Sequence, residues 1–415
     1  MESALIYLVL AAVLGLYMTW GVGANDVANA MGTSVGSGAI TVRKAIIIAG
    51  VFEFAGAFLA GGHVTGTIRK GIIDPAVIPG PEVLIFGMLA ALFGAAVWLM
   101  VASYFGWPVS TTHTIVGALI GFALVAIGTQ AVNWAAIVKI VASWVISPVL
   151  GGTIAYLLAQ SVRVFILEAT SPMDAAKRYG PIYVFLMGTL IALVTVWKGL
   201  AHLDLELTTL EAVGIATVVG LVTSFVGRAL IHRVEIDPGA ERESHFAGVE
   251  RVFAPLCVFT ACGMAFAHGS NDVANGVGPL AAVVSVATTG EVAQTSALPL
   301  WVLVLGGLGI VSGLATLGYR VMRTIGKRIT QLTPSRGFCA ELAAATTVVV
   351  ASRLGLPVST THIIVGAVLG VGMARGIAAI DLRVVTRIVT SWIMTLPIGA
   401  GLAALFYFMF RAVLA

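Results

Sequence analysis

Charge is what this chain has least of. Of 415 residues only 10% are Asp, Glu, Lys or Arg, against roughly 25% in an average soluble domain. A soluble protein of this length has to cover its core with polar side chains. With 59% hydrophobic residues, the chain has no such cover to offer. That excludes a soluble enzyme, a disordered chain and a nucleic-acid-binding protein. The net charge of +4 fits basic cytoplasmic loops of a membrane protein. Cysteine is scarce as well. Cys257, Cys262 and Cys339 lie in apolar stretches without CxxC spacing, so neither a disulfide framework nor a metal site is expected. No basic segment precedes the N-terminal apolar run MESALIYLVLAAVLGLYM, which reads as a first membrane helix rather than a cleaved signal.

What fills the chain is apolar segments long enough to cross a bilayer, which takes about 20 residues. They run at about 4–23, 43–62, 83–105, 110–127, 134–160, 181–198 and 210–232. A second set follows at about 249–268, 273–289, 299–320, 338–354, 358–376 and 384–410. The hydrophilic break is the stretch 228–251, with the run DPGAERES. The loop 320–336 carries Arg320, Arg323, Lys327, Arg328 and Arg336 and no acid, which places it in the cytoplasm.

The sequence repeats itself. GANDVANA at 23–30 recurs as GSNDVANG at 269–276, and PVSTTHTIVGALIG at 108–121 as PVSTTHIIVGAVLG at 357–370. KIVASW at 139–144 then matches RIVTSW at 387–392. Three blocks in one order at nearly one offset mark an internal duplication. The chain divides into a first transmembrane repeat at 1–160, a connector with two membrane helices and a charged loop at 161–248, and a second repeat at 249–415. If each PVSTTH block is the tip of a re-entrant hairpin, five crossings precede the second ND block. Five is odd, so the repeats are inverted, as in many secondary transporters. The expected fold is therefore an all-α polytopic membrane protein. It has two inverted-topology repeats, broken helices and two re-entrant helical hairpins with their tips at the PVSTTH blocks. Both termini are expected outside.

Polar residues concentrate in the duplicated blocks. Asn25, Asp26 and Asn29, and again Asn271, Asp272 and Asn275, stand between apolar stretches. A carboxylate at membrane depth costs several kcal/mol unless it is paired or functional. Neighbouring glycines permit the helix to unwind, and freed carbonyls with Asp and Asn oxygens suit a small hard cation such as Na⁺. Ser110, Thr111, Thr112 and His113 recur as Ser359, Thr360, Thr361 and His362. Each block follows a proline, Pro108 or Pro357, which breaks the preceding helix, and Ser then reads as an N-cap. A helix N-terminus offers unpaired N–H groups and partial positive charge. Two opposed tips meeting at the midplane would hold a tetrahedral oxyanion from both sides. Two more acids, Glu53 in mid-span and Glu341 at the start of an apolar segment, together with His113 and His362, are candidates for a gate or an extra cation site. His268 lies directly before the second ND block, where the first has Val22. That asymmetry weighs against a ligand role. No nucleophile–base set stands outside the duplicated blocks, so no enzyme is expected.

The pair GANDVANA and GSNDVANGVGP with two PVSTTH blocks resembles the inorganic phosphate transporter (PiT) family of sodium- or proton-coupled phosphate symporters. TIRKGIID at 67–74 and GKRIT…PSRGFCAEL at 326–342 look like that family too. The resemblance implies cation-coupled symport of inorganic phosphate across the cell membrane by alternating access, in a multi-pass and homodimeric protein. It places phosphate at Ser110, Thr111, Thr112, Ser359, Thr360, Thr361, Asn25 and Asn271. It places Na⁺, with H⁺ as the alternative coupling ion, at Asp26, Asn29, Asp272 and Asn275, again with Asn25 and Asn271. No organic cofactor is implied. The runner-up is a proton-coupled phosphate, metal-phosphate or sulfate symporter of the same fold.

Overall fold

In hydrocarbon every backbone N–H and C=O has to be satisfied within its own segment, so an apolar chain of this kind folds into helices. The computed structural model describes residues 2–61, 72–73, 77–199, 207–234, 246–292, 299–353 and 358–414. The first repeat contains α1 (Glu2–Gly36), α2 (Val42–Ala60), α3 (Pro81–Phe105), α4 (Thr111–Ala126) and α5 (Trp134–Val162). The connector contributes α6 (Pro172–Val194) and α7 (Thr209–His232). The second repeat has α8 (Ala247–Asp272), α9 (Ala274–Thr289), α10 (Leu300–Thr316), α11 (Gly318–Lys327), α12 (Pro334–Arg353), α13 (Thr360–Met373) and α14 (Leu382–Leu414). Among the described residues seven helical spans are long and apolar enough to cross a membrane, or eight if the bent pair α10–α11 is one span. This is a multi-pass membrane protein. Most of TIRKGIID, residue Pro357 and the run DPGAERES lie outside the described residues.

The helix breaks do not all fall where glycine content suggests. α1 stays helical through Asn25, Asp26 and Asn29. Its glycines serve close packing instead of unwinding. A Cβ at Gly23 would run into the Ile310 carbonyl, and one at Gly36 into the Gly326 carbonyl. The second copy is interrupted only at Val273, between α8 and α9. The sharp break is at Leu317, where α10 and α11 meet at 65°.

The two PVSTTH blocks open α4 and α13 as expected. Ser110 and Ser359 are the N-caps, each accepting from the backbone N–H three residues on, His113 at 3.2 Å and His362 at 3.3 Å. Each hairpin fastens onto the other half. α4 lies along α14, with Gly117 and Gly121 against the carbonyls of Leu396 and Ala400. α13 lies along α5, with Gly366 and Gly370 against the carbonyls of Pro148 and Gly152. The same contact is made twice, related by the duplication. Between hairpin and long helix, both halves turn on a left-handed glycine, Gly128 (φ 120°) and Gly376 (φ 105°). An Asn or Asp then caps the helix that follows: Asn133 accepts from Ala136, and Asp381 from Arg383 and Val384.

Candidate functional site

The exchange of hairpins brings both ND blocks and both hydroxyl tips together. Asp26 Oδ2 accepts from Thr111 Oγ1 at 2.6 Å, and its Oδ1 from Thr361 Oγ1 at 3.3 Å. The first aspartate thus touches both hairpins. Asp272 Oδ2 accepts from Thr360 Oγ1 at 2.9 Å. The asparagines cross over in the same way. Asn29 Nδ2 donates to Thr360 and Thr361 at 3.2 and 2.9 Å, while Asn275 Nδ2 donates to Thr111 at 3.1 Å. Asn25 is spent on the first tip. Its amide donates to Ser103 Oγ and the Trp107 carbonyl, and its oxygen accepts from Val109 N–H. Asn271 donates to Asp272 Oδ1 at 2.7 Å. The tips also touch each other, Thr361 Oγ1 donating to the Val109 carbonyl at 3.2 Å. Asn25, Asp26, Asn29, Thr111, Asp272, Thr360 and Thr361 are all at most 2% exposed.

Burial at this depth makes the charge count decisive. His268 sits between the aspartates, Nε2 at 3.0 Å from Asp272 Oδ2 and 3.8 Å from Asp26 Oδ2. Its Nδ1 lies 3.3 Å from Glu53 Oε1. Three carboxylates therefore surround one imidazole. Even a protonated His268 leaves the ionised cluster two negative charges in excess. Uncompensated buried charge is prohibitive, so these carboxylates need protons or cations to offset them. Asp26, His268 and Asp272 offer ligand atoms within 4.8 Å of one another. Asn29 Oδ1 is a further buried oxygen without a hydrogen-bond partner, free to face a ligand. Opposite these acids stand the opening turns of α4 and α13, whose first N–H groups have no intrahelical acceptor. The clustered acids and the two helix N-termini thus lie side by side.

A model of the phosphate transporter family matches residues 22–403. The chain belongs to that family. It is 48% identical to a putative phosphate permease of Haemophilus influenzae, over 97% of this chain and 96% of that one. It is 44% identical to inorganic phosphate transporter 2-1, chloroplastic, of Arabidopsis thaliana, over 96% of this chain and 71% of that one. A solved structure described as the sodium-dependent phosphate transporter superposes with a TM-score of 0.89 at 41% identity. The match covers 98% of this chain and all of that one. Members of the family transport rather than catalyse, and this chain is not an enzyme.

Within this family member the expected residues divide three ways. Asp26, Asn29, Asp272, Asn275, Thr111, Thr360 and Thr361 converge directly. Asn25, Ser110 and Ser359 shape the tips, and Thr112 is buried beside them. Glu341, on α12, forms a separate cluster beside α1 one turn beyond Asn29. It accepts from Thr33 Oγ1, from Ser34 N–H and Oγ, and from Thr260 Oγ1. His113 and His362 face each other edge-on, with ring centroids 4.3 Å apart, between Trp144 and Trp392. Those tryptophans end the third duplicated block, KIVASW and RIVTSW. Their partners were therefore present in the sequence as repeat counterparts. The residue that sequence reasoning undervalued is His268. Its lack of a counterpart in the first repeat argued against it, whereas the structure puts it at the centre, one turn before Asp272.

Proposed function

We propose that this chain is a secondary active transporter that carries inorganic phosphate across the cell membrane together with Na⁺, by alternating access between its two repeats. The carrying observation is the set of threonine–aspartate hydrogen bonds, Thr111 and Thr361 on Asp26 and Thr360 on Asp272, of which the Thr361–Asp26 bond crosses between the repeats. These bonds tie anion-binding tips to cation-binding acids. Neither can be loaded without rearranging the other, which is the requirement for obligatory coupling. Sodium enters at Asp26, Asn29, Asp272 and Asn275, with Asn271 holding Asp272 and Asn25 holding the first tip beside them. Phosphate takes hydroxyls and N–H groups of Ser110, Thr111, Thr112, Ser359, Thr360 and Thr361. Two cations offset the excess negative charge of the cluster and let a multiply charged oxyanion enter a low-dielectric site. Glu341, in its nest of hydroxyls, serves as an outer cation station, and His113 and His362 as the hinge pin between the tips. The relatives, a phosphate permease and an inorganic phosphate transporter, support the substrate, and the sodium-dependent transporter supports the coupling ion. The working unit on this reading is a homodimer.

The test is labelled phosphate uptake into proteoliposomes under an imposed Na⁺ gradient, then under a proton gradient alone. Accumulation is expected in the first case only. Equal accumulation under the proton gradient overturns sodium coupling, and accumulation under neither overturns the transport reading.

A further inference from the structure

Outside the site, the two repeats differ most in surface charge. The stretch 125–138, covering the turn from α4 into α5, has no charged residue. Its counterpart, 373–386, carries Arg375 and Arg383, both exposed, with Asp381 as the only acid, and exposed Arg387 follows where the first repeat has Lys139. Asp381 is committed to capping α14. This turn is joined to the segment after α11. Arg375 Nη1 donates to the Gln331 carbonyl at 3.3 Å, Asp381 N–H to the Ile329 carbonyl at 3.0 Å, and Thr330 Oγ1 to the Ala379 carbonyl at 2.8 Å. There Arg323, Lys327 and Arg328 are exposed as well. Among the described residues no carboxylate comes within 4.0 Å of them. One end of the molecule therefore bears a continuous basic surface that the duplicated architecture does not require.

α11 packs its apolar face on α1, where Gly32 lies against Ile325 and Gly36 against Gly326. Val321, Met322 and Ile325 are buried on one face, and Arg323 and Lys327 project from the other. With the apolar face held by the protein, the outward cations are what can attract anionic headgroups. Exposed aromatic rings lie at the same level. Tyr104 and Tyr319 flank Arg320, whose guanidinium sits 4.6 Å from the Tyr104 ring centroid. Tyrosine and tryptophan concentrate at the membrane–water boundary. α11 is also tied to the site. Arg320 Nη1 donates to the Tyr104 carbonyl at 2.6 Å and Thr324 Oγ1 to the Gly106 carbonyl at 2.8 Å. That is the turn of the first hairpin, whose next residue, Trp107, is gripped by Asn25.

We infer that the basic face of α11 and the α13–α14 turn docks the anionic headgroups of membrane phospholipids, and that headgroups seated there pin α11 and through it the first hairpin turn. The residue count sets the scale, about five-fold in headgroup affinity for each cation near an anionic surface. Free phosphate carries the same chemistry, so the test separates the two sources.

The full chain is reconstituted in phosphatidylcholine vesicles with and without phosphatidylglycerol. Wild type is compared with R323Q/K327Q/R328Q, with R383Q/R387Q and with the charge-keeping R323K/K327R/R328K. Quenching of tryptophan fluorescence by brominated phosphatidylglycerol against brominated phosphatidylcholine reads headgroup preference independently of transport. The expected result is a preference for phosphatidylglycerol in wild type and in the charge-keeping variant, weakened in both glutamine variants. Phosphatidylglycerol should speed uptake in wild type and leave the triple glutamine variant unmoved, with one KM for phosphate in pure phosphatidylcholine. An unchanged preference in the glutamine variants overturns the lipid site. A raised KM in pure phosphatidylcholine assigns the cations to gathering substrate and overturns it equally. Loss of preference with unchanged uptake overturns the link to the hairpin.

Discussion

Thr111 is the side chain on which the crossed bonding of the site can be tested most directly. Its hydroxyl donates to Asp26 Oδ2 at 2.6 Å and accepts from Asn275 Nδ2 at 3.1 Å. Valine has the same shape without the oxygen. Thr111→Val removes a hydrogen bond to a carboxylate, worth about 1.5–3 kcal/mol, and leaves a buried amide donor unmatched at about 1–3 kcal/mol. The two overlap because Asn275 can shift, so a net effect of about 3 kcal/mol is expected, roughly a hundred-fold in an equilibrium constant. Thr111→Ser keeps the hydroxyl and gives up one methyl, costing about 1 kcal/mol. The assay is the initial rate of Na⁺-driven phosphate uptake across a range of phosphate concentrations, with thermal unfolding of the purified protein in parallel. Thr111→Val should cut Vmax/KM about a hundred-fold, and Thr111→Ser should retain most of it. If valine supports near-normal uptake, the hydroxyl is not a ligand or a coupling contact. If serine fails as badly as valine, packing of the methyl matters instead, and the reasoning is refuted.

Two further outcomes follow from the same geometry. Asp26→Asn removes one of three clustered carboxylates while keeping its size, and Na⁺ stimulation of uptake should be lost; uptake that still climbs with Na⁺ would contradict a cation at Asp26. Gly370→Ala places a methyl against the Gly152 carbonyl, which cannot rotate away. It should lower stability by about 1–3 kcal/mol, and an unchanged melting temperature in detergent would show that α13 and α5 have slack.

Much of this site could be read from residue order, because duplication marks what matters. The ND and STTH blocks were recognisable as one site from their repetition and from the cost of an acid in hydrocarbon. What order cannot show is which hairpin meets which helix. That Asn29 reaches Thr360 and Thr361, more than 300 positions away, depends on glycine contacts between α4 and α14 and between α5 and α13. Gly117, Gly121, Gly366 and Gly370 look the same in sequence whether they unwind a helix or let another backbone approach. The same ambiguity concealed the continuity of α1 through Asn25–Asn29. His268 was obscure for a different reason. Symmetry is a good guide to paired groups and a poor one to a single side chain that stands between the two aspartates.

The fastening of α4 to α14 has a consequence for how the molecule is made. Gly121 of α4 rests on the Ala400 carbonyl, and the Pro108 carbonyl accepts from Trp392 Nε1. Both partners lie in α14. During synthesis the first hairpin, complete in sequence by residue 126, lacks this partner until residues 392–400 have left the ribosome. A nascent chain must keep its polar tip sheltered for that interval, and truncation near residue 390 would leave every predicted ligand in place while the site never closes.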